Sequence, residues 1–513
     1  MWSLMVRCRV GVACALWLVS FGAARAAAPL DHHFPHDDIL GTSLDLTVAA
    51  DSPAVARECE AVVLAEVERL RRILSTYDPA SEISRVNASK AAVPCSAELI
   101  EVLSLYDTWR ARTGGAYSGQ IGQLVQAWRD AERTGSNPDP ATLARLVADA
   151  ARPAWRIDPA ARTVTRLTAQ TIDVNSLGKG FILQRAAAVA RGKCPDVRGL
   201  LLDIGGDIAT WGTPADGSPH WAVGVADPQS PADNAPPLAT LHLRDAAVAS
   251  SGGYARFHTV AGQRRSHILD PRTGQPADHV LGATVVAPAN ATDNATDNAT
   301  ANALATSLCV LAPDEALHLI ARTPGAHCFI TTRDGRHLAS PGWAALLAPA
   351  AAPRAAAATK PAAAAWPAGH QVSVALTLKR PTRKTHRPYV ALWVEDAAGK
   401  PIRTVTVWGN EHKYLPELPD WWRFARNAPA LVKAVTRATR SAGSYTLAWD
   451  GRDDAGNAVA PGTYTLRLEV NREKGRHVSL TTKVRCDADK STATFPESPE
   501  TAETQITFGP KPK

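Results

Sequence analysis

The sequence predicts an α+β domain followed by an all-β sandwich, on three observations. Up to about residue 345, apolar residues at helical spacing are interspersed with short alternating or continuous apolar runs, the mixture of an α+β or α/β domain. Residues 346–367 are nearly all Ala and Pro, a linker composition that cannot bury enough surface to form a core. Beyond them, short β-branched and aromatic segments alternate with turns, the texture of a sandwich. The length of 513 residues leaves room for two or three domains. The net charge of +7 is mild for that length and has no dense basic helix behind it, which argues against a nucleic-acid footprint.

The elements follow in order. Arg7 and Arg9 precede an apolar run from Val10 to Ala24, and Ala24-Arg25-Ala26 offers small residues at a cleavage site. Residues 1–26 therefore read as a secretory signal peptide, and the mature protein is expected in the bacterial periplasm. The apolar run is well short of the ~20 residues that a spanning helix needs. Six cysteines remain after cleavage, with no C-x-x-C to suggest zinc or redox chemistry. An oxidising compartment permits a disulfide, for which Cys309–Cys328 is the favoured pair.

Residues 27–345 form the first expected domain. Gly41–Ala49 alternates as a half-buried strand does. Ser52-Pro53 caps a helix whose apolar residues recur to Leu74. Ser75–Asn87 is turn-rich, and a second helix near Ser96–Thr113 stops at Gly114-Gly115. Strand signals follow at Thr163–Leu167, Gly199–Ile204, Trp221–Val225, Leu238–Leu243 and Ala283–Ala287; helical signals at Ala141–Ala150, Gly180–Arg191 and Asn302–Leu311.

In residues 368–486, Trp449-Asp450-Gly451…Pro461-Gly462-Thr463-Tyr464 resembles the immunoglobulin-like hairpin of flagellar hook-cap proteins, so an immunoglobulin-like sandwich is expected. Asp450, Asp453 and Asp454 miss the spacing of a calcium loop and read as a hairpin turn. The polar residues 487–513 are expected to be a disordered tail.

Five segments of the first domain carry chemistry. Thr113-Gly114-Gly115-Ala116-Tyr117 sets two glycines before an aromatic that could stack on a flat ring. Asp173-Val174-Asn175-Ser176-Leu177-Gly178-Lys179-Gly180 enters a helix with a lysine, suiting a phosphate or pyrophosphate. Leu202-Asp203-Ile204-Gly205-Gly206-Asp207 reads first as a strand and a tight turn. Val248–Arg256 and then Ser266-His267-Ile268-Leu269-Asp270-Pro271-Arg272-Thr273-Gly274 concentrate His, Asp and Arg. On a helix, Asn302 and Thr306 share a face and could offer two oxygens to a hard cation.

In this order the segments L-G-T, S-T-Y, T-G-G-A-Y, D-x-x-x-x-x-K-G, I-G-G-D, S-S-G-x-Y, S-H-I-x-D-P-x-T-G and A-L-A-T resemble the FAD:protein FMN transferases, the ApbE-like family, over roughly Leu40 to Ala345. The resemblance implies an α+β fold with an FAD cleft, FAD as substrate and a magnesium ion. It implies FAD contacts from Leu40, Tyr77, Ala116, Tyr117, Ser118, Asp173 and Ile268. Lys179 would face the pyrophosphate, and magnesium would be held by the backbone oxygen of Ser176 with Asn302 and Thr306. The β-domain resembles one found fused to this family.

Three positions depart from the family. Asn302 and Ser118 stand where the family has Asp, and Gln184 replaces another Asp. The repeat Asn290–Thr300 precedes Asn302, and Asp293 or Asp297 is a candidate replacement ligand.

The implied reaction is attack by a Thr or Ser hydroxyl of an acceptor protein on the FMN-side phosphorus, with AMP leaving. His267 is the candidate base and Asp270 the alternative. The acceptor would carry a D-x-x-[ST]-[GS]-A-T type motif, and a membrane-anchored redox partner fits that role. Asp487–Thr494, reading D-A-D-K-S-T-A-T, is a loose match within the chain itself. Two other readings stay open: an FAD pyrophosphatase, and a non-catalytic protein that carries or senses flavin.

Overall fold

A computed structural model describes residues 30–348 apart from 231, 255 and 289–296, and residues 366–511 apart from 368, 382–385, 410–411, 438, 474 and 488. The expected signal peptide and most of the Ala/Pro linker lie outside the described residues.

The first domain is built on an eight-stranded antiparallel sheet in which each strand pairs with the next in chain order. Its strands are β1 (Leu30–Ile39), β2 (Thr42–Ala50), β3 (Val197–Ile204), β4 (Asp207–Gly212), β5 (Ala246–Ser251), β6 (Val280–Pro288), β7 (His327–Thr332) and β8 (His337–Ala339). Side chains alternate between the faces, as the strand period of two demands. Leu44, Leu46, Val48, Ala247, Ala249 and Val285 join the main core, whereas Val248 and Val286 face a smaller core beneath the hairpin of Trp221–Val225 and Ala239–Leu243.

Helices cover the main-core face. α1 (Pro53–Leu74) starts as expected, with Ser52 Oγ accepting from the Val55 N–H. α2 (Ala97–Arg112) is capped by Ser96, and α3 (Asn175–Lys193) and α4 (Asn298–Val310) pack side by side. The turn-rich segment Ser75–Asn87 contains a short helix, Glu82–Ala88, capped by Ser81. Cys59, Cys95, Cys194, Cys309, Cys328 and Cys486 are all buried free thiols, so the favoured pair Cys309–Cys328 is not joined. Among the described residues no helix is long and apolar enough to cross a membrane.

The C-terminal domain is β-rich. Its strands are β9 (His370–Leu378), β10 (Tyr389–Glu395), β11 (Pro401–Trp408), β12 (Thr436–Arg437), β13 (Gly443–Trp449), β14 (Thr463–Asn471), β15 (Val478–Arg485), β16 (Ser491–Phe495) and β17 (Thr504–Pro510). One sheet runs β13-β9-β17-β16 and the other β12-β11-β10-β14-β15. Both contribute to one core, including Val374, Leu392, Leu468 and Phe508. Two short helices, α5 (Pro419–Ala425) and α6 (Pro429–Val435), cover the outer face of the second sheet through Trp421 and Val432. The fully buried Glu469 accepts from the Asp420 and Trp421 N–H groups, each at 2.9 Å, at the start of α5.

The tail is a correction. Residues 487–513 supply β16 and β17, and β17 lies inside its sheet, between β9 and β16. A strand with one buried face needs an apolar residue only at every second position. Ile506 and Phe508, both fully buried, meet that need within a polar segment.

Candidate active site

The site grows from the start of α3. Asp173 Oδ1 accepts from the Asn175 N–H at 2.8 Å, and the Asp173 N–H donates to Gly119 O at 2.9 Å, tying the glycine-rich segment beneath the first turn. Burial raises the Asp173 carboxyl above its usual range. Tyr106 and Tyr117 stack at 5.3 Å, and their hydroxyls lie 2.8 and 3.1 Å from Ser176 Oγ. Ala116 and Tyr117 are buried, and Ser118 Oγ accepts from the Gln120 N–H. Tyr117, expected to stack on a ligand, instead spends its ring on the core and its hydroxyl on Ser176. Asn175 Nδ2 donates to Thr76 Oγ1 at 3.1 Å, which places the 77% exposed Tyr77 at the edge of the same helix start.

One turn along, Lys179 Nζ lies 3.6 Å from Asp207 Oδ2, and the same oxygen accepts from Asn302 Nδ2 at 2.9 Å. Asp207 is buried at the head of β4. Burial raises its carboxyl, opposed by Lys179 and the Asn302 bond. Gly180 lets α3 and α4 approach, because a Cβ there would sit 2.6 Å from Asn298 O and 3.1 Å from Asn302 Cβ. Asp203, four residues before Asp207, is pushed up to about 7 by burial, with Asp45 and Asp207 adding to it.

Thr306 follows Asn302 by one helical turn, and its Oγ1 lies 3.3 Å from Ser251 Oγ. Of the two candidate replacement carboxylates, Asp297 caps α4 by accepting from the Thr300 N–H, and Asp293 lies outside the described residues. The carboxylate that contacts Asn302 is Asp207, which sequence reasoning left in a tight turn. The signal available was Asn302 itself, since a site short of one carboxylate invites a search for another.

His267 Nδ1 lies 2.9 Å from the Arg256 carbonyl oxygen. A carbonyl only accepts, so Nδ1 carries the proton and Nε2 the lone pair. Burial holds this imidazole down at about 4, with the charges of Arg256, His258 and Lys179 acting in the same direction. Asp270, the alternative base, has both oxygens on Arg272 at 2.9 Å, while its carbonyl accepts from the Gly274 N–H. Its side chain closes the turn and is paired with Arg272. Ile268 is buried beside it, and Leu40 sits half-buried in the β1–β2 turn at φ 52°.

A lysine in the first turns of a helix, a buried carboxylate and nearby amide and hydroxyl groups thus meet at one junction of an α+β domain. The chain belongs to the ApbE family, whose model matches residues 40–330. Residues 371–502 match a second family, described as a predicted periplasmic protein (DUF2271). An FAD:protein FMN transferase of Klebsiella pneumoniae is 27% identical over 311 residues, 58% of this chain and 83% of that protein. One from Treponema pallidum is 26% identical over 65% of this chain and 93% of its own length. Among solved structures, the ApbE protein of Thermotoga maritima superposes with a TM-score of 0.54 at 25% identity, covering 62% of this chain and all of that one. The flavinyl transferase ApbE of Pseudomonas stutzeri shares the fold, with a TM-score of 0.51 at 22% identity, over 63% of this chain and 99% of its own.

Proposed function

We propose that this protein is an exported FAD:protein FMN transferase that moves FMN from FAD onto a Thr or Ser side chain of an acceptor protein and releases AMP. The observation that carries the reading is the Lys179–Asp207–Asn302 cluster at the junction of α3, β4 and α4, in a chain of the ApbE family. The exposed Tyr77 covers the flavin, with Leu40 and Ile268 against it; Ala116, Tyr117, Ser118 and Asp173 shape the floor. The C-terminal domain is an immunoglobulin-like sandwich.

The donor set fits magnesium. Asp207 and Asn302 are in contact, Thr306 lies one turn on, and the Asn302 oxygen makes no hydrogen bond among the described residues. These are oxygen ligands, the chemistry a hard cation takes, with the Ser176 carbonyl as a fourth. When bound, the ion neutralises pyrophosphate charge.

Lys179 shares in that neutralisation and orients the FMN-side phosphate. The acceptor hydroxyl oxygen forms the new P–O bond as the bond to AMP breaks. His267 takes the hydroxyl proton at Nε2, since Nδ1 is committed to Arg256. Positioning and charge stabilisation do most of the work.

The test is AMP release from FAD by the mature protein, with and without magnesium, in the presence of an acceptor carrying D-x-x-[ST]-[GS]-A-T. Magnesium-dependent AMP with covalent flavin fluorescence on the acceptor is the expected result. AMP without labelled acceptor indicates a pyrophosphatase, and tight FAD binding without AMP indicates a flavin carrier; either overturns the transferase reading.

A further inference from the structure

The C-terminal domain grips the first domain at two places, one of them beside the turn that carries Leu40. Arg387 Nη1 and Nη2 lie 2.9 Å from Asp37 and Asp38, and Thr439 Oγ1 donates to Asp37. At the second grip, Asp233 receives Arg440 at 3.1 Å and the Trp408 indole N–H at 3.0 Å. Its neighbour Asn234 pairs with the Ala448 backbone in both directions, at 2.7 and 2.8 Å.

These contacts are aimed at strained and site-bearing backbone. Asp38 and Leu40 hold φ values of 60° and 52°, a left-handed conformation that is uncommon for non-glycine residues and costly for Leu. Thr42, two residues after Leu40, packs on the β3–β4 turn: a Cβ at Gly205 would come within 2.8 Å of its side chain. Asp207 follows that turn directly. The second grip lies five residues along the chain from Pro228, which with Gln229, Tyr254 and Ser266 lines a cavity of about 360 Å³.

We propose that the C-terminal domain positions the active site from outside, with Arg387 and Thr439 fixing the Asp37–Leu40 turn and through it the Gly205–Gly206 turn that presents Asp207. Arg387 is thus a positioning residue, and the inference rests on the functional reading only for its effect on FAD.

The test uses the full mature chain with Arg387→Ala combined with Thr439→Val, beside Arg387→Lys. Hydrogen–deuterium exchange of residues 42–46 and 203–208 reports the coupling without any ligand. Exchange there is expected to quicken about tenfold in the double variant, with β9–β11 unchanged and Arg387→Lys close to wild type. The KM for FAD is expected to rise about fivefold with a smaller change in kcat, as loss of ligand positioning requires. Unchanged exchange at 42–46 and 203–208 overturns the proposal whatever the enzyme does. Faster exchange in a protein that never binds FAD supports the coupling and overturns the functional reading instead.

Discussion

A carboxamide holds a hard cation less tightly than a carboxylate, because it lacks the charge that offsets dehydration of the ion. Asn302 is such a carboxamide, and it touches a buried carboxylate, Asp207, at 2.9 Å. If Asp207 supplies the charge, Asp207→Asn lowers Mn²⁺ affinity about tenfold, and the exchanged pair Asp207→Asn/Asn302→Asp recovers most of it. Calorimetry or Mn²⁺ paramagnetic resonance on the FAD-free protein reads this directly; a doubly exchanged variant as weak as the single one removes Asp207 from the metal site. Asp203 makes a separate prediction. Its folded value of about 7 lies above the ordinary 3.8, so its contribution to stability is complete below pH 4 and is lost as pH rises through 7. Asp203→Asn should therefore melt higher than wild type at pH 8 in EDTA, by about 3 °C, with the gap closing near pH 4. At this scale Lys179 and His267 stand out in the sequence as candidates by their polar motifs, and Thr306 only by sharing a helix face with Asn302. Asp207 was harder to read, because a carboxylate after two glycines looks like a turn and only the missing charge at Asn302 hinted at another carboxylate.

The elements that position these side chains depend on close packing of α3 against α4, and Gly180 lies at that contact. A methyl group at Gly180 would meet backbone at 2.6 Å, so the helices must part. Gly180→Ala is expected to cost about 1–3 kcal/mol in urea denaturation and to weaken Mn²⁺ binding, since it moves Asn302 away from Lys179. A variant with wild-type stability and binding would mean that the helices adjust without moving the site. The long elements were legible where a cap and a period coincide. Ser52 and Ser96 both cap as their positions suggest, and α1 buries Cys59, Val63, Val67 and Leu70 on one face. The seven-residue helix Glu82–Ala88 was hidden because two turns are too few to establish a period. β5 was hidden because its Ala-rich run is buried on both faces and so lacks alternation.

Across the whole molecule, the relation between the two domains was the least legible feature. Asp37 and Arg387 are far apart in the chain, and no periodicity links them. The polar tail was misread for a related reason: its few apolar residues matter only in register with strands formed much earlier. β17 pairs with β9 along residues His370–Ala375 and with β16 on its other side. Ile506 and Phe508 are fully buried, and burial of such side chains contributes about 1.5–3 kcal/mol each. The segment also carries Glu500, the 2.7 Å partner of the buried Arg472, and removing one member of a buried pair strands the other charge. Ending the chain at Cys486 should therefore unfold the C-terminal domain rather than trim a flexible end. Calorimetry of the intact mature protein is expected to show a transition for residues 366–511 that the truncated chain lacks, and trypsin should digest residues 366–486 rapidly. Because both grips on the first domain come from that unfolded part, the truncation should also quicken exchange at residues 42–46. A truncated chain that keeps the C-terminal transition would show that β9 can stand as an edge strand and that the core closes without β17.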